Sequence, residues 1–261
     1  GRMRARGCPL TTIDLGPLRA DEARELAERY LQAADRRVDA CIERAAGNPL
    51  FLDQLLRNAD ERADTNVPGS VQSIVQARLD NLAPLDRAAL EAASVLGQRF
   101  AMELVGALID APDYDGRNLV DLQLVRPEGD EFLFAHALVR DGVYGSLLRE
   151  PRRVLHRRAA DLHADRDRTL AARHLDAAED PGAADAYLTA AREQLAAYRY
   201  DRALPLAERG REIASEGASD GACAFELTML RAESLGLLGR NAEAIDAYAE
   251  ALEATDAAAE R

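Results

Sequence analysis

The chain contains no lysine; all 33 of its basic residues are arginine. That absence excludes a phosphate-binding loop of the form G-x-x-x-x-G-K-[ST], whose lysine reaches the β- and γ-phosphates. No run of four apolar residues ends in Asp-Asp or Asp-Glu, as a magnesium-binding strand requires. No G-x-S-x-G and no ordered Ser/His/Asp set stands out either. The residues given cannot by themselves cradle and hydrolyse a triphosphate, and a catalytic hydrolase has no constellation to rest on.

Other absences narrow the class further. There is no tryptophan, and the three cysteines, Cys8, Cys41 and Cys223, are scattered. Such spacing makes neither a disulfide framework nor a zinc knuckle, which points to a reducing cytoplasm. The apolar runs are short, so no membrane span is expected. The opening "GRMRARGCPL" has basic residues with no apolar core behind them and is not a signal peptide. The four histidines are His136, His156, His163 and His174. His156 and His163 lie seven apart, on one helical face, without a third ligand at metal spacing. We expect them to be solvated or packed.

What is present is a 261-residue chain with 48% hydrophobic and 30% charged residues, enough for two compact units. Its formal charge of −13 repels phosphate backbones, so nucleic-acid binding would need a local basic patch.

Along the chain, "TTIDLGPL" at Thr11–Leu18 reads as a strand with no partner nearby. A lone strand is not stable in water, so its sheet is expected to belong to something larger. "RADEARELAERYLQ" carries acid in its first turn and Ala23, Leu26, Ala27 and Tyr30 on one face. "RRVDACIERAAG" repeats that face with Val38, Cys41, Ile42 and Ala45 and stops at Gly47, a natural C-terminal cap. Asn48 suits the cap of the next helix and Pro49 its first position, so "GNP" reads as a corner between packed helices. "PLFLDQLLRNADER" continues the helix, and "DTNVPGS" at Asp64–Ser70 reads as a linker.

After the linker, "SVQSIVQARLDNL" and "APLDRAALEAASVLG" are expected as helices, with Leu82, Leu85, Ala89, Ala93 and Leu96 forming one buried stripe. "FAMELVGALI" and "GRNLVDLQLV" follow. Leu124-Val125 and Phe132-Leu133-Phe134 flank a turn built from Pro127 and Gly129, a β-hairpin signal. Helices followed by one small hairpin are the order of a winged helix. The helices "LVRDGVYGSLL" and "PRRVLHRRAADLHA" come next. The chemistry argues against DNA: the helix that would enter the groove carries Asp115, Arg117 and Asp121, and the wing sets Glu128, Asp130 and Glu131 against one Arg126. That is the wrong sign for counterion release.

The last third is repetitive. "YLTAAREQLAAYRYDRALPLAERGREIA" and "LTMLRAESLGLLGRNAEAIDAYAEALEA" superpose at an offset that puts Ala203 on Ala244, Ala207 on Tyr248 and Gly210 on Ala251. Each unit is helix, tight turn, helix, the signature of a helical-hairpin array. "LGLLGRNAEAIDAYAEAL" resembles a tetratricopeptide repeat, with Gly239 at the turn and then Ala244, Tyr248 and Ala251. "ASEGASDGA" reads as a long loop between repeats, and the array is expected to continue beyond Arg261.

The ordered set resembles the C-terminal part of STAND ATPases, the signal-transduction branch of the AAA-like switches. It looks especially like the large bacterial regulators that carry LuxR-type DNA-binding domains or class III cyclase domains. "LGPLRADEAREL" looks like their exit from the last core strand, "GNPLF" like their lid motif, and "FLFAHALVRDGVYGSLL" like their winged-helix segment. The resemblance implies a mostly all-α chain. Residues 1–16 would end an NTPase core, 17–66 form a helical lid, 67–164 a winged-helix domain with one small β-hairpin, and 165–261 the tetratricopeptide-like repeats. It implies that Gly47, Asn48 and Pro49 wall the adenine pocket and that His136 meets the β-phosphate of ADP. ATP or ADP with Mg would belong to the parent protein, not to this chain. Ala135 and Ala137 flank His136, so of the Met-His-Asp pattern of eukaryotic relatives only the histidine is kept. A local role for His136, satisfying a backbone carbonyl, stays open. The implied partners are the protein's own NTPase core and a protein or small-molecule effector on the repeats, with no membrane and no direct nucleic-acid contact. The alternative is a free-standing helical-repeat adaptor for a protein partner, with no nucleotide role.

Overall fold

The computed structural model describes residues 18–30, 36–45, 47–49, 52–53, 55–56, 76, 78–216 and 221–259. The chain divides into two compact units, Gly1–Asn81 and Leu82–Arg261. The strand expected at Thr11–Leu18 and the linker at Asp64–Ser70 lie outside the described residues, apart from Leu18, which has no regular structure.

The first unit contains α1 (Ala20–Ala27) and α2 (Arg36–Ala45). The carboxylate of Glu22 accepts the Arg19 N–H at 2.9 Å, filling part of the donor deficit at the start of α1. The expected faces meet: Ala23 and Ala27 pack with Val38, Cys41, Ala45, Leu52, Leu55 and Leu56, and Leu18, Leu26, Tyr30 and Ile42 lie against that cluster. Small residues on α1 and α2 let the helices approach closely. Tyr30 donates its hydroxyl proton to Asp53 across the corner.

The second unit begins with α3 (Pro84–Leu96), proline in its first turn. The expected stripe is rotated. Ala89 and Ala93 are fully buried, but Leu82 and Leu96 are only half-buried and Leu85 is 49% exposed. Asp86 is buried instead, accepting hydrogen bonds from the Tyr114 hydroxyl at 2.7 Å and Asn118 Nδ2 at 2.6 Å. A buried carboxylate with two donors turns the first turn of α3 inward, where periodicity alone would place the leucine. Burial and Asp86 together push the Tyr114 hydroxyl pKa up.

Next come β1 (Arg99–Phe100), α4 (Met102–Leu108), α5 (Arg117–Asp121), β2 (Val125–Glu128) and β3 (Glu131–Phe134). The sheet is antiparallel with β3 in the middle, order β1-β3-β2. Arg99 faces Leu133 and Phe100 faces Phe132, while Val125 faces Phe134 and Pro127 faces Phe132. The expected hairpin is present, but β1 adds a third strand too short for any alternation pattern to reveal. Pro127 lies within β2 rather than in the turn. An edge strand accommodates its missing N–H, and Gly129, at φ 64°, makes the turn. The Phe100 ring meets Phe134 edge-on at 5.5 Å.

α6 (Ala137–Ser146) and α7 (Arg149–His163) lead to the array of α8 (Arg168–Ala177), α9 (Ala183–Ala196), α10 (Tyr200–Glu216), α11 (Gly221–Leu237) and α12 (Asn241–Ala259). α7 is a joint held by arginines on both sides. Arg158 donates back to the Leu108 carbonyl at 2.7 Å, and Arg153 donates forward to the Ala178 carbonyl at 2.7 Å. Each helix of the array packs on the next. The core is alanine-rich: Ala172, Ala184, Ala190, Ala191 and Ala207 surround Tyr187, Leu206 and Leu227. Gly210 is where α10 comes closest to its neighbours. A Cβ there would stand 2.8 Å from Leu227 Cδ2 and 2.9 Å from Tyr187 Cβ.

The turns repeat as well as the helices. Gly239 is left-handed at φ 77°, and Tyr198, at the matching point between α9 and α10, is left-handed at φ 57°. A residue with a side chain seldom adopts that conformation, so the backbone repeats where the sequence does not. Ala203 and Ala244 are both buried, as the superposition requires, but Ala207 is buried while its counterpart Tyr248 is 44% exposed.

Candidate functional site

Gly47, Asn48 and Pro49 form the cap-to-cap corner that their residue types predict. Gly47 is left-handed at φ 80°, the Asn48 N–H donates to the Ala45 carbonyl at 2.8 Å, and the Asn48 carbonyl accepts the first bond of the next helix from Leu52 at 3.0 Å. Pro49 opens that helix. The Leu18 N–H donates to the Gly47 carbonyl at 2.8 Å, which ties the segment before α1 to the corner. Asn48 and Pro49 are exposed.

His136 belongs to the other unit. It is the residue before α6, extended at φ −145°, at the exit of β3. Its carbonyl accepts the N–H of Val139 at 3.0 Å and of Arg140 at 3.3 Å, and its ring is half-buried. The junction around it is firmly held. Gln98 Nε2 donates to the Phe134 carbonyl at 2.8 Å and Arg140 Nε to the Ser94 carbonyl at 3.0 Å. The four predicted contact residues are thus split between the two units.

The hairpin surface differs from the sequence expectation in one respect. Arg99 arrives on β1 and grips Glu128 and Glu131, the latter at 3.3 Å, so two of the three hairpin carboxylates are paired from across the sheet. Arg126 stands 4.0 Å from Glu128, and Arg117 pairs with Asp115 at 2.9 Å. The cations near the wing are taken, which leaves it no more attractive to a phosphate backbone.

His156 and His163 are joined by a third imidazole that linear spacing does not reveal. His174, from α8, places Nδ1 2.9 Å from His156 Nδ1, and its ring stacks on His163 at 5.7 Å. The Tyr144 hydroxyl completes the chain at 2.9 Å from His156 Nε2. One nitrogen of each ring faces the other's equivalent, so a single proton must occupy that contact and the rings must take opposite tautomers. His156 and His174 are each 5% exposed. Burial first lowers both pKa values to about 4, with His174, Arg152 and Arg140 adding to it at His156 and His163 at His174. Among the described residues no group of three or more His, Cys, Asp or Glu is arranged to hold a metal.

A groove of about 700 Å³ is walled by α8, α9 and α10. Its floor is a fixed ion pair. Arg209 donates to both oxygens of Asp176, at 2.8 and 2.9 Å, and the Tyr187 hydroxyl donates to the same carboxylate at 3.2 Å. Hydrogen bonds to Asp176 and then to Glu212 raise the Arg209 pKa above its usual range. Six arginines and three carboxylates line the groove. Sequence reasoning missed this site. Its only linear trace is "RDR" and "RYDR", two arginine-rich steps in an acidic chain, brought together by the hairpin.

No family model matches the chain. It is 27% identical over 175 residues to an uncharacterized protein of Rhizobium meliloti (strain 1021), a match that takes in 57% of this chain and 17% of that protein. Among solved structures it is similar to a Signal Transduction ATPase with Numerous Domains (STAND) protein with a tetratricopeptide repeat sensor from Pyrococcus horikoshii. That match has 15% identity and a TM-score of 0.42, and covers 91% of this chain and 47% of the other. The chain spans less than half the length of either protein. At that TM-score the likeness carries no argument about this chain; its own residues do. No described helix is long and apolar enough to cross a membrane.

Proposed function

We propose that this chain is the regulatory and interaction segment of a cytoplasmic, bacterial STAND-type ATPase, a transcriptional regulator of the LuxR-type or cyclase-associated kind. The observation that carries the reading is the groove of about 700 Å³ on the helical hairpins, a receptor-sized concavity floored by a fixed ion pair. The hairpins bind an effector. The module of α3 to α7 with its three-stranded sheet acts as the winged helix, and the unit of α1 and α2 as the lid. ATP or ADP, with Mg, is held by an NTPase core elsewhere in the parent protein, and ATP hydrolysis belongs to that core.

In this reading Gly47, Asn48 and Pro49 wall the adenine and His136 donates to the β-phosphate of ADP. Support comes from the exposed Asn48 and Pro49 and from the position of His136 at a strand end held by Gln98 and Arg140. In the full-length protein, His136→Ala removes a charge-assisted bond worth about 1.5–3 kcal/mol, so ADP affinity drops about tenfold or more and basal output rises. Unchanged ADP affinity with unchanged output would sink the nucleotide role.

One observation favours the adaptor reading. Ile245 and Leu252 on α12 are 68% and 64% exposed, beside Tyr248. An apolar face of that kind fits a protein partner. Co-purification of a stoichiometric protein that Ile245→Ser releases, with no response of the parent to nucleotide, would favour the adaptor.

A further inference from the structure

The groove between α8, α9 and α10 has a definite chemistry. In a chain with 46 carboxylates and 33 guanidinium groups, an arginine ordinarily finds an acid. Elsewhere in the second unit this holds for most, Arg152 over the Tyr144 ring aside: Arg149 meets Glu179, Arg157 meets Asp180 at 2.8 Å and Arg158 meets Asp110 at 2.5 Å. Along the groove it fails. Arg209 is spent on Asp176 and Glu212, and Arg168 lies 3.8 Å from Glu193. Among the described residues, Arg166, Arg173, Arg199 and Arg202 have no carboxylate within 4 Å.

These four come from opposite walls. Arg166 precedes α8 and Arg173 lies within it, while Arg199 and Arg202 begin the α10 side. The acids offer them little. Asp167 accepts the Leu170 N–H at 3.0 Å as the cap of α8, and Glu193 is matched with Arg168. Of the three lining carboxylates only Asp201 is left to oppose four cations. Four exposed guanidinium groups around one concavity give it a positive potential that attracts an entering anion.

The floor adds a second requirement. Gln194 Oε1 is buried in the lining without a hydrogen-bond partner. A buried acceptor left unpaired needs a donor, and a turn of the half-buried Gln194 side chain toward the groove brings it to an N–H or hydroxyl on the occupant. The volume, about 700 Å³, lies within the range of small-molecule sites and is far below what a duplex or a folded partner requires.

We infer that the groove is a binding site for a small polyanion, one with two or more phosphate or carboxylate groups and at least one hydroxyl. Arg166 and Arg173 take its anionic groups from one wall and Arg199 and Arg202 from the other, and the hydroxyl donates to Gln194. The guanidinium fork suits either oxyanion, because both present paired oxygens to parallel N–H groups. The inference rests on the reading of the hairpins as a receptor and names the chemistry of what they receive.

The test titrates the whole chain at physiological salt with two hydroxylated probes, fructose bisphosphate for phosphate and citrate for carboxylate, by calorimetry and by amide exchange over α8–α10. We expect at least one probe to bind at about millimolar or tighter and to protect these helices. The double variant Arg173→Gln/Arg202→Gln should weaken it about tenfold or more, and Arg173→Lys/Arg202→Lys should recover only part of the loss. These arginines have no internal partners, so circular dichroism of the variants should match the parent. Pyrophosphate, which lacks a donor for Gln194, should bind less well than fructose bisphosphate. Binding of neither probe, or equal binding by parent and Gln variant, overturns the proposal. If a neutral small molecule or an acidic peptide protects α8–α10 while both probes fail, the polyanion is wrong and the receptor reading survives. If nothing from any of these classes protects the helices, the receptor reading falls with it.

Discussion

On the β2–β3 hairpin, Arg99 is gripped by Glu128 and Glu131. Along the hairpin-array groove, Arg166, Arg173, Arg199 and Arg202 pair with no carboxylate among the described residues. The two surfaces use the same side chain in opposite ways. On the wing, arginine neutralises acids across a sheet, and the surface that results has nothing to offer a phosphate. In the groove, four arginines are left unmatched, while Asp167 caps α8 and Glu193 is matched with Arg168, which leaves only Asp201. Arginine-rich sequence therefore says little about anion binding until the partners are known. The comparison also extends downward. The β2–β3 hairpin is short and exposed at its turn, with Arg99 reaching it from β1, whereas the groove stands on buried contacts among α7, α8, α9 and α10.

That difference can be broken most strongly with acid. His156 and His174 have folded pKa values of about 4, below their ordinary value of 6.5. The folded state keeps them neutral, so their contribution is present above about pH 6.5 and is lost as the pH falls through about 4. The groups facing them are Tyr144, Arg140, Arg152 and His163. We expect on the order of a few kcal/mol of stability to disappear over this window. Because His174 lies on α8, amide exchange should rise in α8 before it rises in β2 and β3. Thermal melts of His174→Phe should show a flatter pH dependence; an unchanged profile would place the acid sensitivity elsewhere.

Glycine substitutions sharpen the contrast between the foundations. Gly210→Ala drives a Cβ into Tyr187 and Leu227, and chemical denaturation should show a loss of about 1–3 kcal/mol together with weaker probe binding in the groove. Gly129→Ala, at the wing turn, meets nothing within 4 Å and suffers only from its φ of 64°. It should lose about 1 kcal/mol and leave the groove unaffected.

Arg99→Ala tests the exposed pairs themselves. They are more than a third exposed on both sides, so the loss should be about 1 kcal/mol or less by denaturation. The smallest effect is expected with duplex DNA, for which the wing should show no measurable shift in a gel at physiological salt. Micromolar duplex binding that Arg126→Ala abolishes would contradict the account of the wing.

The local features were legible in the sequence. Gly47, Asn48 and Pro49 announce a corner because capping acts within a few residues of itself. The burial of Ala23, Ala27, Val38 and Cys41 follows from helical period, and Gly239 marks its turn. Leu85 was misjudged because Asp86, one position along, finds Tyr114 and Asn118 far away in the chain. The strand β1 was invisible because two residues carry no alternation, and only pairing with β3 makes them a strand.

The sequence by itself determined a helical chain with no phosphate-binding loop, a capped corner at Gly47 to Pro49, one small hairpin and a repeating helix pair, because period, caps and turns are short-range properties. The tertiary structure alone decided that His174 meets His156, that Arg99 closes over Glu128 and Glu131, and that four arginines line one groove with no ion-pair partner among the described residues. Charges and imidazoles carry no local signature of their partners. Their pairing depends on which distant helices are packed together, and that is settled by burial of the alanine-rich faces, not by the charges.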